Sequence, residues 1–151
     1  PVVLFYMDAP GKREELHDMA RRLAATGYCV VLPNLYYRRT RDFWLQERTE
    51  AAMAVMFEHM NSLTNALVVQ DTQALLAYVD ALPAADSTRI GAVGYCMSGP
   101  FVMAAAAAYP DRLRAIANTR ARSPSLFSIA SGNNCAKASR CKTLINAANA
   151  P

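Results

Sequence analysis

Acidic residues are missing from one end of this 151-residue sequence. All 12 Asp and Glu lie in residues 1–111, where the formal charge is −3, whereas residues 112–151 hold 7 Lys and Arg and no acid, for a charge of +7. A basic tail often binds nucleic acid or an acidic surface. Here the basic residues are scattered among Ala, Ser and Asn with a single aromatic, Phe127. No nucleic-acid partner is therefore expected.

Long apolar runs and a signal peptide are also missing. No run approaches the roughly 18 residues of a membrane-spanning helix, and the first residues lack the charged and apolar regions of a signal peptide. No membrane partner is expected. The chain starts directly with a strand-like apolar run at residues 1–5. This start suggests the hypothesis that Pro1 is not the natural N-terminus.

The cysteines do not form a metal-binding or disulfide pattern. They stand at positions 29, 96, 135 and 141 without CxxC spacing, and Cys29 falls in a run that reads as a buried strand. A disulfide framework is not expected, and free thiols fit a reducing, cytoplasmic setting. No metal or other cofactor is expected.

Alternating apolar runs and amphipathic segments predict one α/β domain. Strands are predicted at 2–6, 28–32, 90–93 and 113–117, with helices at 12–26, 42–60, 65–82 and from 99 onward. Gly27 is the expected left-handed cap after the first helix. The strands are continuously apolar, as in parallel sheets. The order predicts a three-layer α/β/α sandwich with a mostly parallel sheet.

The most informative stretch is residues 94–99, GYCMSG, between a predicted strand and an Ala-rich helix. A strand, a sharp turn and a helix with a nucleophilic atom at the turn form the layout of a nucleophile elbow. Gly94 and Ser98 supply small flanks, and Cys96 at the centre would have a strained backbone and an outward thiol. Its place before a helix favours the thiolate. The alternative is a buried cysteine that acts as a small hydrophobe.

Other polar residues follow the predicted strands. Ligands of such sheets bind at the carboxyl ends of the strands, so Asp8, Tyr36 and Cys96 are expected at one edge. Arg38 belongs to a loop rich in Tyr and Arg that could line a pocket and hold an anionic substrate; a solvated surface loop is an equal alternative. His59, on a predicted helix, reads as a structural or surface residue.

Four blocks of the sequence resemble the dienelactone hydrolase family, the cysteine-nucleophile branch of the α/β-hydrolase fold. They are PVVL with Asp8, DMARRLAATGY at 18–28, LPNLY at 32–36 and GYCMSG at 94–99. The resemblance covers residues 1 to about 117. It implies hydrolysis of a carboxylic ester or lactone, a small-molecule substrate, through a Cys-His-Asp triad without a metal.

The resemblance also implies individual roles. Cys96 matches the nucleophile, and the backbone N–H groups of Met97 and Ala9 match the two donors of the oxyanion hole. Asp8 stands where the family often has a Glu that interacts with the resting thiol. Ser98 replaces a Gly of the commonest family motif.

The sequence departs from the family pattern after Cys96. In this fold the acid and then the His follow the nucleophile, but only Asp111 and no His come after Cys96. One hypothesis is an incomplete hydrolase, with residues 1–117 as the core and 118–151 as an atypical basic tail, irregular or misread. The alternative is a catalytically inactive binding or interaction module. An unfinished sheet also predicts self-association through its exposed edge.

Overall fold

The computed structural model describes residues 1–119. This part of the chain forms four strands and four helices, and two helices follow one another between the second and third strands. In order they are β1 (Val2–Tyr6), α1 (Glu14–Ala25), β2 (Cys29–Val31), α2 (Glu50–Asn61), α3 (Asn65–Asp80), β3 (Ile90–Tyr95), α4 (Gly99–Ala108) and β4 (Leu113–Thr119). A 3₁₀ turn, Cys96–Ser98, joins β3 to α4.

The strands form one parallel sheet in the order β2-β1-β3-β4. Val2 of β1 is paired with Cys29 of β2 and with Ile90 of β3, so the carboxyl ends of the strands lie at one edge. Together with the helices, this parallel sheet confirms the predicted α/β fold class. Strand β4 runs to Thr119, past the predicted domain boundary at residue 117. The predicted basic tail covers residues 118–151, and from residue 120 onward it lies outside the described residues.

The predicted helix over 42–60 is wrong for its first part. Helix α2 begins at Glu50, and its N-cap Thr49 accepts a hydrogen bond from the Ala52 N–H at 3.2 Å. Before it, Trp44 forms an antiparallel bridge with Gly11, and the Leu45 N–H donates to the Pro10 carbonyl at 2.8 Å. These backbone bonds hold the segment in a non-helical conformation against the loop after β1.

The other elements match their predictions to within a few residues. Gly27 has φ +94° directly after the α1 C-cap, Thr26, and its N–H bonds to the Ala24 carbonyl at 2.9 Å. A glycine adopts this left-handed conformation without the steric cost that a Cβ adds. The predicted cap at Gly27 is thus confirmed.

The core lies around β1, whose five residues are all buried. Tyr6 O–H donates to Thr72 Oγ1 of α3 at 2.7 Å, and Thr72 in turn donates to the Val68 carbonyl at 2.7 Å. Burial raises the pKa of Tyr6 to about 12. This pair joins the central strand to α3 and satisfies two buried hydroxyl groups, which would otherwise be costly.

None of the described helices has the length and apolar character that crossing a membrane requires. Strands β2 and β4 form the two edges of the sheet as far as residue 119. Self-association through a sheet edge stays a prediction, as does the cytoplasmic setting.

Candidate active site

Cys96 lies directly after β3, at the first position of the 3₁₀ turn. It is exposed, and its φ of +54° is the one positive φ at a non-glycine residue within residues 1–119. For an L-residue this conformation costs about 1–2 kcal/mol. Such strain is typical of functional turns. The backbone and the exposure of Cys96 therefore agree with the sharp turn and outward thiol expected from the sequence.

Close packing explains why this turn needs a glycine before the cysteine. A Cβ on Gly94 would lie 2.6 Å from the Ser98 carbonyl oxygen and 2.6 Å from Val102 Cγ2. Since real Cβ atoms essentially never come this close, a side chain at position 94 would push the turn away from β3. The absence of a Cβ at Gly94 lets α4 begin directly beneath the turn.

Ser98 has a role that its sequence pattern did not suggest. It is fully buried, and its hydroxyl donates to the Met7 carbonyl just beyond β1. The bond ties the turn that carries Cys96 to the strand next to β3. A buried hydroxyl needs such a partner. A serine in the turn between a buried strand and a buried helix could therefore have suggested a hydrogen bond of this kind.

Asp8 lies in the loop after β1 and is held by Arg13. The Arg13 guanidinium donates to both Asp8 carboxylate oxygens, at 2.6 and 3.0 Å, and to the Gly11 carbonyl at 3.1 Å. The hydrogen bond to Asp8 raises the pKa of Arg13. Among the described residues, no hydrogen bond joins Asp8 to Cys96. The role of Asp8 beside the thiol thus stays a prediction.

Tyr36 is buried and connects the loop after β1 with the turn at Cys96. Its hydroxyl donates to the Ala9 carbonyl at 2.9 Å and lies 3.4 Å from Met97 Sδ. Burial raises its pKa, and the negative charges of Asp8 and of the Cys96 thiolate raise it further. The hydroxyl is therefore protonated and a donor at neutral pH. The structure brings together Ala9, Tyr36 and Met97.

Arg38 points toward α3 rather than toward Ala9 or Met97. Its guanidinium donates to both oxygens of Asp71, at 2.7 and 2.6 Å, and lies 4.6 Å from the ring centre of Tyr37. The hydrogen bond to Asp71 raises the pKa of Arg38. A role for Arg38 in substrate binding stays a prediction.

His59 packs among aromatic rings. Its ring centre lies 5.3 Å from that of Tyr36 and 4.5 Å from that of Phe43. Among the described residues its buried Nδ1 has no hydrogen-bond partner. Burial lowers the pKa of His59, the charge of Arg39 lowers it further, and Glu58 opposes them. These contacts agree with a structural histidine.

Two shallow hollows lie away from the thiol. One, of about 300 Å³, is lined by residues 43–47 with Thr49 and Ala52, and the other lies along α1. Cys96 lines neither of them. Within residues 1–119, no three His, Cys, Asp or Glu side chains are grouped so that they could hold a metal ion. What this end of the sheet offers chemically is the exposed thiol of Cys96.

Curated relatives of the chain carry one activity in their names. Carboxymethylenebutenolidase of Pseudomonas putida is 26% identical over 113 residues, or 74% of this chain, and that of Rhodococcus opacus is 25% identical over 114 residues, or 75% of it. A protein of Methylorubrum extorquens, which bears a provisional form of the same name, is 29% identical over 99 residues, or 66% of this chain. The chain spans only 48%, 41% and 33% of these relatives' lengths, in that order.

A family model gives the broader relation. The model described as the dienelactone hydrolase family matches residues 1–133, which include the four described strands and the turn at Cys96. This match extends further along the chain than the blocks that suggested the resemblance. The chain belongs to the dienelactone hydrolase family.

Proposed function

We propose that the chain is a hydrolase of small carboxylic esters or lactones that uses Cys96 as its nucleophile. The observation that carries the proposal is the exposed Cys96 at φ +54°, between β3 and α4. Membership of the family and the names of the relatives support the same class of reaction.

The first step is acylation of the thiol. The Cys96 thiolate attacks the carbonyl carbon, the new C–S bond forms, and the electron pair of the C=O bond moves to oxygen. The N–H groups of Met97 and Ala9 are the proposed donors to that oxyanion; removal of one such donor typically costs a factor of about 10² to 10³ in rate. The oxyanion then collapses, the C–O bond to the alcohol breaks, and the departing alkoxide takes a proton from water.

The second step needs a base that these residues do not place at the thiol. Water must attack the thioester and release the acid and the thiolate, and a His normally activates that water. The sequence has two histidines, His17 and His59. His17 lies on α1, and His59 is packed against rings. For the 151 residues by themselves we therefore expect acylation to outrun deacylation.

Burst kinetics with p-nitrophenyl acetate test the proposal. We expect release of about one p-nitrophenolate per chain followed by a much slower phase, because even an unassisted cysteine is a few per cent thiolate at neutral pH. Cys96→Ala should remove the burst, whereas Cys29→Ala, which removes another free thiol, should keep it. Cys96→Ser should also lose it, since an alcohol without a base is a poor nucleophile. Steady turnover that survives Cys96→Ala would refute the proposal.

The second candidate is a binding or interaction module that keeps the fold without catalysis. The absence of a His after Cys96 in the sequence favours it. This candidate predicts that a lactone or a carboxylic acid binds without acylation of Cys96. The burst separates the two candidates directly.

A carboxylate-bearing ester or lactone is the proposed substrate class. Its negative charge would suit Arg38, an arginine of the loop after β2 that the sequence analysis expected to line a pocket. Because Arg38 already donates to both oxygens of Asp71, the substrate carboxylate would have to replace Asp71 as its partner. Asp71→Asn should then strengthen binding of an acidic substrate relative to a neutral one.

A further inference from the structure

The Tyr36 hydroxyl lies between the two residues whose amides are the proposed oxyanion donors. It is 2.9 Å from the Ala9 carbonyl and 3.4 Å from Met97 Sδ, and Tyr36 is almost completely buried. The three residues come from three separate segments: the loop after β1, the loop after β2 and the 3₁₀ turn after β3. One side chain thus links both halves of the proposed oxyanion hole.

We propose that Tyr36 is a positioning residue, whose hydroxyl holds the Ala9 amide at the correct place relative to Met97 for stabilising the oxyanion. The proposal rests on the proposed function and adds a residue to its machinery. Tyr36 does not touch the reacting atoms in this scheme. It acts through the backbone of Ala9.

The loop that carries Ala9 is a tight turn. The Gly11 N–H donates to the Asp8 carbonyl at 3.2 Å, so Ala9 and Pro10 are its central residues. The Ala9 carbonyl belongs to the central peptide, and that peptide is the part of a β-turn that the turn's own hydrogen bond leaves free. The Tyr36 hydroxyl binds this carbonyl.

The rest of the turn is restrained at both ends. Arg13 holds the Asp8 side chain, and the Leu45 N–H holds the Pro10 carbonyl at 2.8 Å. Between those ends, the Tyr36 hydroxyl is the bond that fixes Ala9 itself. Without it, the buried Ala9 carbonyl would lose its partner. The Ala9 N–H belongs to the preceding peptide, so it is displaced by a shift of the whole Ala9 backbone away from Met97 rather than by rotation of the central peptide.

The aromatic ring of Tyr36 is itself held in place. It packs against Phe43 at 6.0 Å and His59 at 5.3 Å between ring centres. The position of its hydroxyl is therefore set by packing rather than by solvent. Such supporting contacts are needed because catalytic groups must be held to within about 0.5 Å.

Two reactions of the same thiol test the proposal. Acylation by p-nitrophenyl acetate develops an oxyanion, whereas alkylation by iodoacetamide does not. Tyr36→Phe should lower the acylation rate of Cys96 about tenfold, because the donor is displaced rather than removed and a full loss costs about 10² to 10³. Its alkylation rate should stay within about twofold of the wild-type rate. Tyr37→Phe removes the neighbouring hydroxyl, which donates to Asp71 instead, and should change neither rate.

A second variant covers the case in which the unpaired Ala9 carbonyl destabilises Tyr36→Phe. Replacement of Tyr36 by para-aminophenylalanine keeps the ring and a donor, so acylation should return to within about threefold of wild type. Equal losses of acylation and alkylation in Tyr36→Phe, or acylation that matches wild type, would overturn the proposal. So would an amino variant that acylates as slowly as Tyr36→Phe. If wild-type Cys96 is not acylated at all, the proposed function itself fails, and that result is distinct from these.

Discussion

Adding a single methyl group at Gly94 should destabilise the chain more than the same change at a second glycine of β3. The Cβ of Gly94→Ala would lie 2.6 Å from both the Ser98 carbonyl oxygen and Val102 Cγ2, and 2.9 Å from the Ser98 carbonyl carbon. Two of these three atoms are backbone atoms, so the clash cannot be relieved by a side-chain rotation alone. Overpacking in a tight site costs about 1–3 kcal/mol. We expect Gly94→Ala to lower the free energy of unfolding by about 1–3 kcal/mol.

Gly91→Ala is the matched control on the same strand. Its Cβ would approach one atom within 4 Å, the Ala115 carbonyl oxygen at 3.3 Å, which a small shift relieves. Replacing Gly by Ala also removes freedom from the unfolded chain, a gain of about 0.4–1 kcal/mol. The net change for Gly91→Ala should therefore be below about 1 kcal/mol in either direction.

Urea unfolding monitored by circular dichroism measures both changes. With a slope of about 1–3 kcal/mol per molar urea, the midpoint of Gly94→Ala should fall by roughly 1 M, and that of Gly91→Ala by much less. Because the turn would move away from β3, Gly94→Ala should also slow acylation of Cys96 by p-nitrophenyl acetate. Equal midpoints for the two variants would refute the account of the turn. A Gly94→Ala protein with wild-type stability and acylation would refute it as well.

Two other predictions concern the side chains of Ser98 and His59. Ser98→Ala leaves the buried Met7 carbonyl without its donor, so the free energy of unfolding should fall by about 1–3 kcal/mol; a loss below about 0.3 kcal/mol would contradict this. The pKa of His59 is lowered in the folded chain, chiefly by burial, so His59 binds a proton more readily when the chain is unfolded. Its contribution to stability is present above the ordinary His value of about 6.5 and is lost as the pH falls from there through the lowered folded pKa. Arg39 and Glu58 are the charged groups that influence it, and His59→Phe, which keeps an aromatic ring, should reduce the drop in urea midpoint between pH 7.5 and 5; an unchanged drop would contradict the assignment.

The sequence predicted the strands well because each is an apolar run, and in β1 the whole run is buried in the sheet. Strand β1 was predicted at its observed bounds, and β4 was predicted within two residues of its observed end. The non-helical conformation of residues 42–49 was not predicted. Its conformation depends on backbone bonds to Pro10 and Gly11, far away in the sequence.

Parts of the candidate site were predictable for a different reason. The turn at Cys96 needs Gly94 for close packing, and this steric demand leaves a readable pattern in the sequence. The contacts of Tyr36 leave no comparable pattern, because the hydroxyl meets Ala9 and Met97 only after three loops come together. The contacts of Arg38 could not be predicted from the sequence either. A cation in a loop after a strand suggests a ligand, but its partner here, Asp71, lies on a helix that sequence spacing could not connect with it.

The most direct test of the central claim is the intact mass of the chain after reaction with p-nitrophenyl acetate, followed by peptide mapping. We predict one acetyl group per chain, attached to Cys96, and we predict its absence in Cys96→Ala, which still contains Cys29, Cys135 and Cys141. The adduct should persist for much longer than the acylation takes. An acetyl group distributed over the other cysteines, or an unmodified Cys96, would contradict the assignment of Cys96 as the nucleophile.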